Sequence, residues 1–166
     1  MQASAAYGRD APNPLDRIES VAETLSWPFE RAADDEVNLT ADMAWGSLRL
    51  CLNWRADLEV LHVACFGEAK VQPPRREETS RLVGLINEQL YSGHFDLWRG
   101  DGSIVYRNGL ILAGGADATE QQCEALIRLA VEVSERYYPA FQFVNWAGSG
   151  AEAALTASMV ETLGEA

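Results

Sequence analysis

The side chains most able to do chemistry in this chain are few and scattered. There are two histidines, His62 and His94, and three cysteines. His62 and Cys65 have a spacing found between metal ligands, but residues three apart on a strand point to opposite faces. With so few histidines, a zinc site would have to be completed by carboxylates. The sequence therefore predicts no metal site and no cofactor.

His94 lies between Gly93 and Phe95, where a loop histidine could act as a general base. No neighbouring serine or cysteine has the pattern of an activated nucleophile. No acid–base pair or triad can be assembled elsewhere in the chain. A histidine in a loop needs no function, so the sequence favours a protein that is not an enzyme.

A pair of glycines, Gly114 and Gly115, stands between a predicted strand and a predicted helix in "LILAGGADAT". Backbone N–H groups at such a position can cradle a phosphate. The loop lacks both the Walker A pattern and the three-glycine dinucleotide fingerprint. A turn that needs positive φ is the favoured interpretation. A small-ligand sensor, or an unrecognised enzyme that uses this loop and His94, is the alternative.

Charge excludes several classes of partner. The chain of 166 residues carries 13 basic and 25 acidic side chains, a net charge of −12. Such a field repels phosphate backbones and anionic lipids, which argues against binding to nucleic acid or membranes. Three widely spaced cysteines indicate reduced thiols, and no signal peptide or membrane-length apolar run is recognisable. A cytoplasmic protein is expected.

The periodicity of apolar residues predicts an α+β fold with an antiparallel sheet. Helical spacing is expected after Asn13, around Leu82 and Ile86, after Thr119 and again after the "GSG" at 148–150. Between these helices the period is two, which predicts strands. A hairpin centred on Ala56 would place Leu48, Leu50, Leu52 and Trp54 on one face with Leu58, Val60, His62 and Ala64. The opposite face would be half apolar and would need cover.

The sequence leaves one local feature of a strand open and gives the domain boundaries approximately. Asn108-Gly109 fits either a tight turn or a bulge in one long strand. The boundaries indicate a flexible N-terminal tail at 1–12, an α+β domain at 13–147, and a C-terminal amphipathic helix and tail at 148–166.

The densest cluster of aromatic residues lies in "ERYYPAFQFVNW", residues 135–146. Stacking on nucleic-acid bases needs a basic groove, and the surrounding chain is acidic. Core packing and partner binding remain. The residues expected to line a partner surface are Phe95, Trp98, Phe141, Phe143 and Trp146.

Three stretches carry a family resemblance: "GHFDLW" at 93–98, "IVYRNGLILAGG" at 104–115 and "ERYYPAFQFVNWAG" at 135–148. Through them the chain resembles the YbjN family, in particular its alphaproteobacterial members, over about residues 13–164. The resemblance implies a type III secretion chaperone-like fold that commonly dimerises. It also implies a sensory-transduction regulator with no assigned catalytic residues. The expected function is a non-enzymatic protein-binding module, chaperone-like or a regulatory adaptor, that binds itself and a protein client.

Overall fold

The computed structural model describes residues 12–164, and the side chains of residues 12–160. The predicted tail at 1–12 lies almost wholly outside the described residues. The described elements are α1 (Pro14–Thr24), β1 (Phe29–Ala33), β2 (Glu36–Met43), β3 (Gly46–Arg55), β4 (Val60–Lys70), a 3-10 turn (Pro73–Arg75), α2 (Arg76–Asn87), β5 (His94–Leu97), β6 (Ser103–Ile111), α3 (Glu120–Ala147) and α4 (Ala151–Gly164). The predicted α+β class is confirmed.

The six strands form one antiparallel sheet in the order β1-β2-β3-β4-β6-β5. All four of the described α-helices send apolar side chains into a single core, which lies against one face of this sheet. We call this the covered face. The residues of β2, β3, β4 and β6 that share it include Val37, Leu39, Leu48, Leu50, Leu52, Leu61, Val63, Cys65, Ile104 and Tyr106.

Helix boundaries follow local capping chemistry. The Asn13 side chain accepts a hydrogen bond from the Leu15 N–H at 3.0 Å, and Pro14 begins α1. Thr119 and Gln122 form a reciprocal capping box at the start of α3. The sequence predicts a kink or a new start at Pro139, but α3 continues as one helix through this residue.

The β3–β4 hairpin has a different register from the predicted one. Arg55 pairs with Val60 across a four-residue connection, so Trp54 pairs with Leu61 rather than lying beside Leu58. A displacement by an odd number of residues moves every side chain of a strand to the other face. Consequently Leu61, Val63 and Cys65 enter the core, whereas His62 and Ala64 point to the opposite face.

Asn108-Gly109 is neither a turn nor a bulge. β6 continues through both residues and pairs in regular register with β4, with Asn108 opposite Val63 and Gly109 opposite His62. The irregularity in this pair of strands lies further along β4, between Phe66 and Lys70.

Candidate functional site

The second face of the sheet packs against none of the described helices, and we call it the open face. Its middle is apolar: Cys51, Ala64, Phe66 and Val105 point to this side by strand alternation. Ala64 and Val105 are buried but lie outside the main core. The half-apolar face inferred from the sequence therefore exists, with different residues on it.

Aromatic side chains cover one end of the open face. The rings of Phe66 and Trp98 meet edge to face, with centroids 5.3 Å apart. The guanidinium of Arg49 lies over the Phe66 ring, 5.0 Å from its centroid. Trp98 is 43% exposed and, at the opposite end of the face, Ile111 is 72% exposed. This arrangement leaves apolar surface available for contact.

Both histidines meet on the open face, beside Arg107 and Asp96. Nε of Arg107 donates to Nε2 of His62 at 3.3 Å, and Nη1 of Arg107 donates to Oδ2 of Asp96 at 3.4 Å. Nε2 of His94 lies 3.3 Å from the same carboxylate oxygen. Partial burial lowers the pKa of His62, and the charge of Arg107 lowers it further. These contacts join the four side chains to one another, and none of them involves a hydroxyl or a thiol.

An aromatic groove lies on the helical side of the molecule, where the start of β3 and the end of β4 meet α3. Its walls are Trp45, Tyr138 and Trp146, with Glu68 and Gln142 beside them, and its volume is about 270 Å³. The rings of Trp45 and Tyr138 stack with centroids 4.1 Å apart and planes inclined by 18°. Trp146 is 68% exposed. We call this the Trp146 groove.

The irregular segment of β4, between Phe66 and Lys70, holds Tyr138 of the groove in place. The hydroxyl of Tyr138 accepts a hydrogen bond from the Ala69 N–H at 3.2 Å and donates to the Ala69 carbonyl at 3.4 Å. Burial raises the pKa of this phenol. Glu135, one helical turn earlier, accepts from the Ala44 N–H at 3.1 Å. Together these contacts tie the turn that carries Trp45 to α3.

The five aromatic residues expected to contact a partner lie in three different places. Phe95 and Phe141 are 1% and 2% exposed and pack on each other in the core, with ring centroids 5.2 Å apart. A buried ring cannot line a partner surface in this conformation, so these two are corrected to core residues. Phe143 is partly buried against the core. Only Trp98, on the open face, and Trp146, in the groove, are exposed among the five.

The glycine loop and His94 do not form one site. The N–H groups of Gly114 and Gly115 donate to the two carboxylate oxygens of Glu59, at 3.3 and 3.0 Å. The cradle therefore holds a carboxylate of the chain itself. His94 pairs with Arg107 on β6, whereas the loop follows Ile111, about 13 Å further along that strand.

Among the residues that the structure describes, no three or more histidine, cysteine, aspartate or glutamate side chains are grouped to hold a metal ion. Cys51, Cys65 and Cys123 are free thiols, and burial raises the pKa of each. Within 12–164, none of the helices has the length and apolar character that crossing a bilayer requires.

The architecture is that of a small α+β protein in which the described helices cover one side of the sheet. Residues 14–143 match the YbjN family model, described as "Putative bacterial sensory transduction regulator". Because this match spans well over half of the sequence, the chain belongs to the YbjN family.

The chain is also similar to the crystal structure of YbjN from E. coli, described as "a putative transcription regulator". The TM-score is 0.54 at 13% identity, over 73% of this chain and 85% of that one. This likeness supports the fold, and the predicted relation to secretion chaperones stays a prediction. No curated protein matches the sequence.

Sequence reasoning missed the Trp146 groove and the histidine cluster. Trp45 and Trp146 are a hundred residues apart, and no local pattern links them. The clustering of the two histidines depends on the register of β4, which was mispredicted. The only available signal would have been His62 on an alternating strand, since Arg107 lies opposite Ala64, the next open-face position of β4.

Proposed function

We propose that the chain is a non-enzymatic protein-binding module, a chaperone-like or regulatory adaptor that acts as a homodimer. The observation that supports this most is the open face, where Phe66, Trp98 and Ile111 provide apolar surface that none of the described helices covers. A sheet face that is apolar in its middle, with none of the described helices packed on it, is typically covered by another element.

A second copy of the chain is the proposed occupant of the open face, because its charges are distributed in a self-complementary way. Acidic side chains lie along β1 and β2, at Glu30, Glu36 and Asp42, on the same face as Asn38. The basic Arg107 lies on β6, at the other side of the sheet, where its Nη1 also donates to Asp96 of the same chain. A two-fold axis along the central strands would place β2 of one copy opposite β6 of the other. Sheets packed in this way approach to about 10 Å.

The client surface is the Trp146 groove. Tryptophan is among the residue types that most often dominate the binding energy of interfaces, and Trp146 is exposed beside this groove. Phe143 is partly buried against the core and supports this end of α3. Trp98 belongs to the dimer surface in this proposal. Self-association and client binding therefore use different surfaces.

The cytoplasm is the proposed location of this module. Three free cysteines, one of them only half-buried, are typical of a protein kept in a reducing compartment. The acidic surface expected from a net charge of −12 favours protein partners over nucleic acid or anionic lipid.

Affinity capture with two readouts tests the proposal. A tagged chain is mixed with an untagged copy and with extract of the native host, and the bound proteins are identified by mass spectrometry. We expect the wild type to retain the untagged copy and one host protein in comparable amounts. The double variant Phe143→Ala/Trp146→Ala should lose the host protein and keep the copy. A folded wild type that retains neither would refute the proposed function.

A further inference from the structure

The Trp146 groove combines aromatic walls with a carboxylate that has no basic partner. Glu68 is exposed and forms no ion pair with the described residues. Its Oε2 would lie 3.8 Å from a Cβ built on Gly46, the neighbour of Trp45, so the carboxylate lies beside the turn that carries this tryptophan. The nearest cation in sequence, Lys70, is occupied by Asp101 and Ser103.

We propose that this groove binds an organic cation, a guanidinium or alkylammonium group, held against Trp45 and Trp146 and neutralised by Glu68, with the buried Tyr138 backing the Trp45 ring. The inference rests on the proposed function, since Trp146 is there a client anchor, and it names the chemistry that the anchor site takes. Cations are attracted to the faces of aromatic rings, most strongly to tryptophan.

The alternatives fit the groove less well. An anion would meet Glu68 together with the field of a chain with net charge −12. A neutral apolar group would bring Glu68 towards a less hydrated environment without a counter-charge, which costs free energy. A cation gains from both the rings and the carboxylate.

The size and rigidity of the groove also suit a small charged group. A volume of about 270 Å³ is just below the usual range of ligand pockets, enough for one side chain or a compact small molecule. Stacking of Trp45 on Tyr138, and the hydrogen bond that the Ala44 N–H donates to the Glu135 carboxylate, hold two of the walls in place. A preformed wall reduces the ordering cost of binding.

Titration of the full-length chain with two cations and their neutral counterparts tests the inference. The probes are N-acetylarginine amide and choline, with N-acetylcitrulline amide and 3,3-dimethylbutanol as neutral controls of similar shape. Binding is followed by the nitrogen-15 indole signals of Trp45 and Trp146, assigned with the variants Trp45→Phe and Trp146→Phe.

We expect at least one cation to shift both indole signals and to bind about tenfold more tightly than its neutral counterpart. Glu68→Gln and Trp146→Ala should each weaken binding several-fold, whereas the exposed Glu88→Gln and Tyr91→Ala should leave it unchanged. Circular dichroism confirms that each variant is folded.

The two probes distinguish the source of the cation. Binding of the arginine derivative alone indicates a side chain of a polypeptide, and binding of choline alone indicates a free small cation. Equal binding of charged and neutral probes, or indole signals that do not move, would overturn the inference. Capture of a host protein would then still uphold the proposed function, so the two failures are distinguishable.

Discussion

The ring of Tyr138 occupies the space that a side chain at position 67 would need. A Cβ built on Gly67 would lie 2.0 Å from Cζ of Tyr138. Gly67 has no positive φ, so close approach rather than backbone conformation explains the glycine. This contact lets α3 pack on β4 beside the Trp146 groove.

Gly67→Ala should therefore lower the free energy of unfolding by about 1–3 kcal/mol, because Tyr138 must shift or the strand must move. Urea denaturation measures the change. The matched control is Gly84→Ala on α2, where an added Cβ meets nothing within 4 Å. That substitution should stabilise the protein by roughly 0.5–1 kcal/mol, as alanine does in helices.

The cost of Gly67→Ala should depend on the side chain at position 138. In the background Tyr138→Ala, the alanine at position 67 should cost much less than in the wild type, because the clashing ring is gone. Equal costs in both backgrounds would contradict the account of this contact.

The pKa of His62 predicts a dependence of stability on pH. Because folding lowers this pKa, the unfolded chain binds more protons near and below pH 6.5, the ordinary value for histidine. The contribution of His62 to stability is therefore present above that pH and is lost as the pH falls through the lower, folded pKa. Thermal melts at pH 8 and pH 5.5 should show a smaller difference for His62→Gln than for the wild type. An unchanged difference would exclude His62 as the source.

The glycine loop should not bind nucleotides, acyl-CoAs or metal ions. Its two N–H donors already hold the Glu59 carboxylate, so a phosphate would have to displace a group of the chain itself. A thermal-shift screen with these ligands should show no stabilisation. A shift of several degrees that is lost in Gly115→Val would support the ligand-sensor alternative instead.

The order of helices and strands was predictable because it depends on local signals. Asn13 and Thr119 cap helices, and apolar periodicity separates strands from helices. The hairpin register was not predictable from these signals. Its connection has four residues, and Glu59 adopts φ of 53°, a conformation that is uncommon outside glycine.

The candidate surfaces were predicted only in part. Trp98 and Trp146 are exposed as expected of partner-binding residues, although their role is untested. Phe95 and Phe141 could not be recognised as core, because strand alternation and helical phase do not say which face is covered. The groove depends on Trp45, Glu68, Tyr138 and Trp146 meeting across long stretches of chain, which only tertiary packing decides.

The central claim is that the open face joins two copies, and sedimentation equilibrium tests it most directly. We predict a mass close to twice 18.2 kDa for the wild type. Trp98→Glu and Ile111→Glu place a charge at exposed positions of the open face and should give folded monomers. Val160→Glu, at an equally exposed apolar residue on α4, should remain a dimer. A wild type that sediments as a monomer at every concentration, or a dimer that both open-face variants retain, would contradict the account.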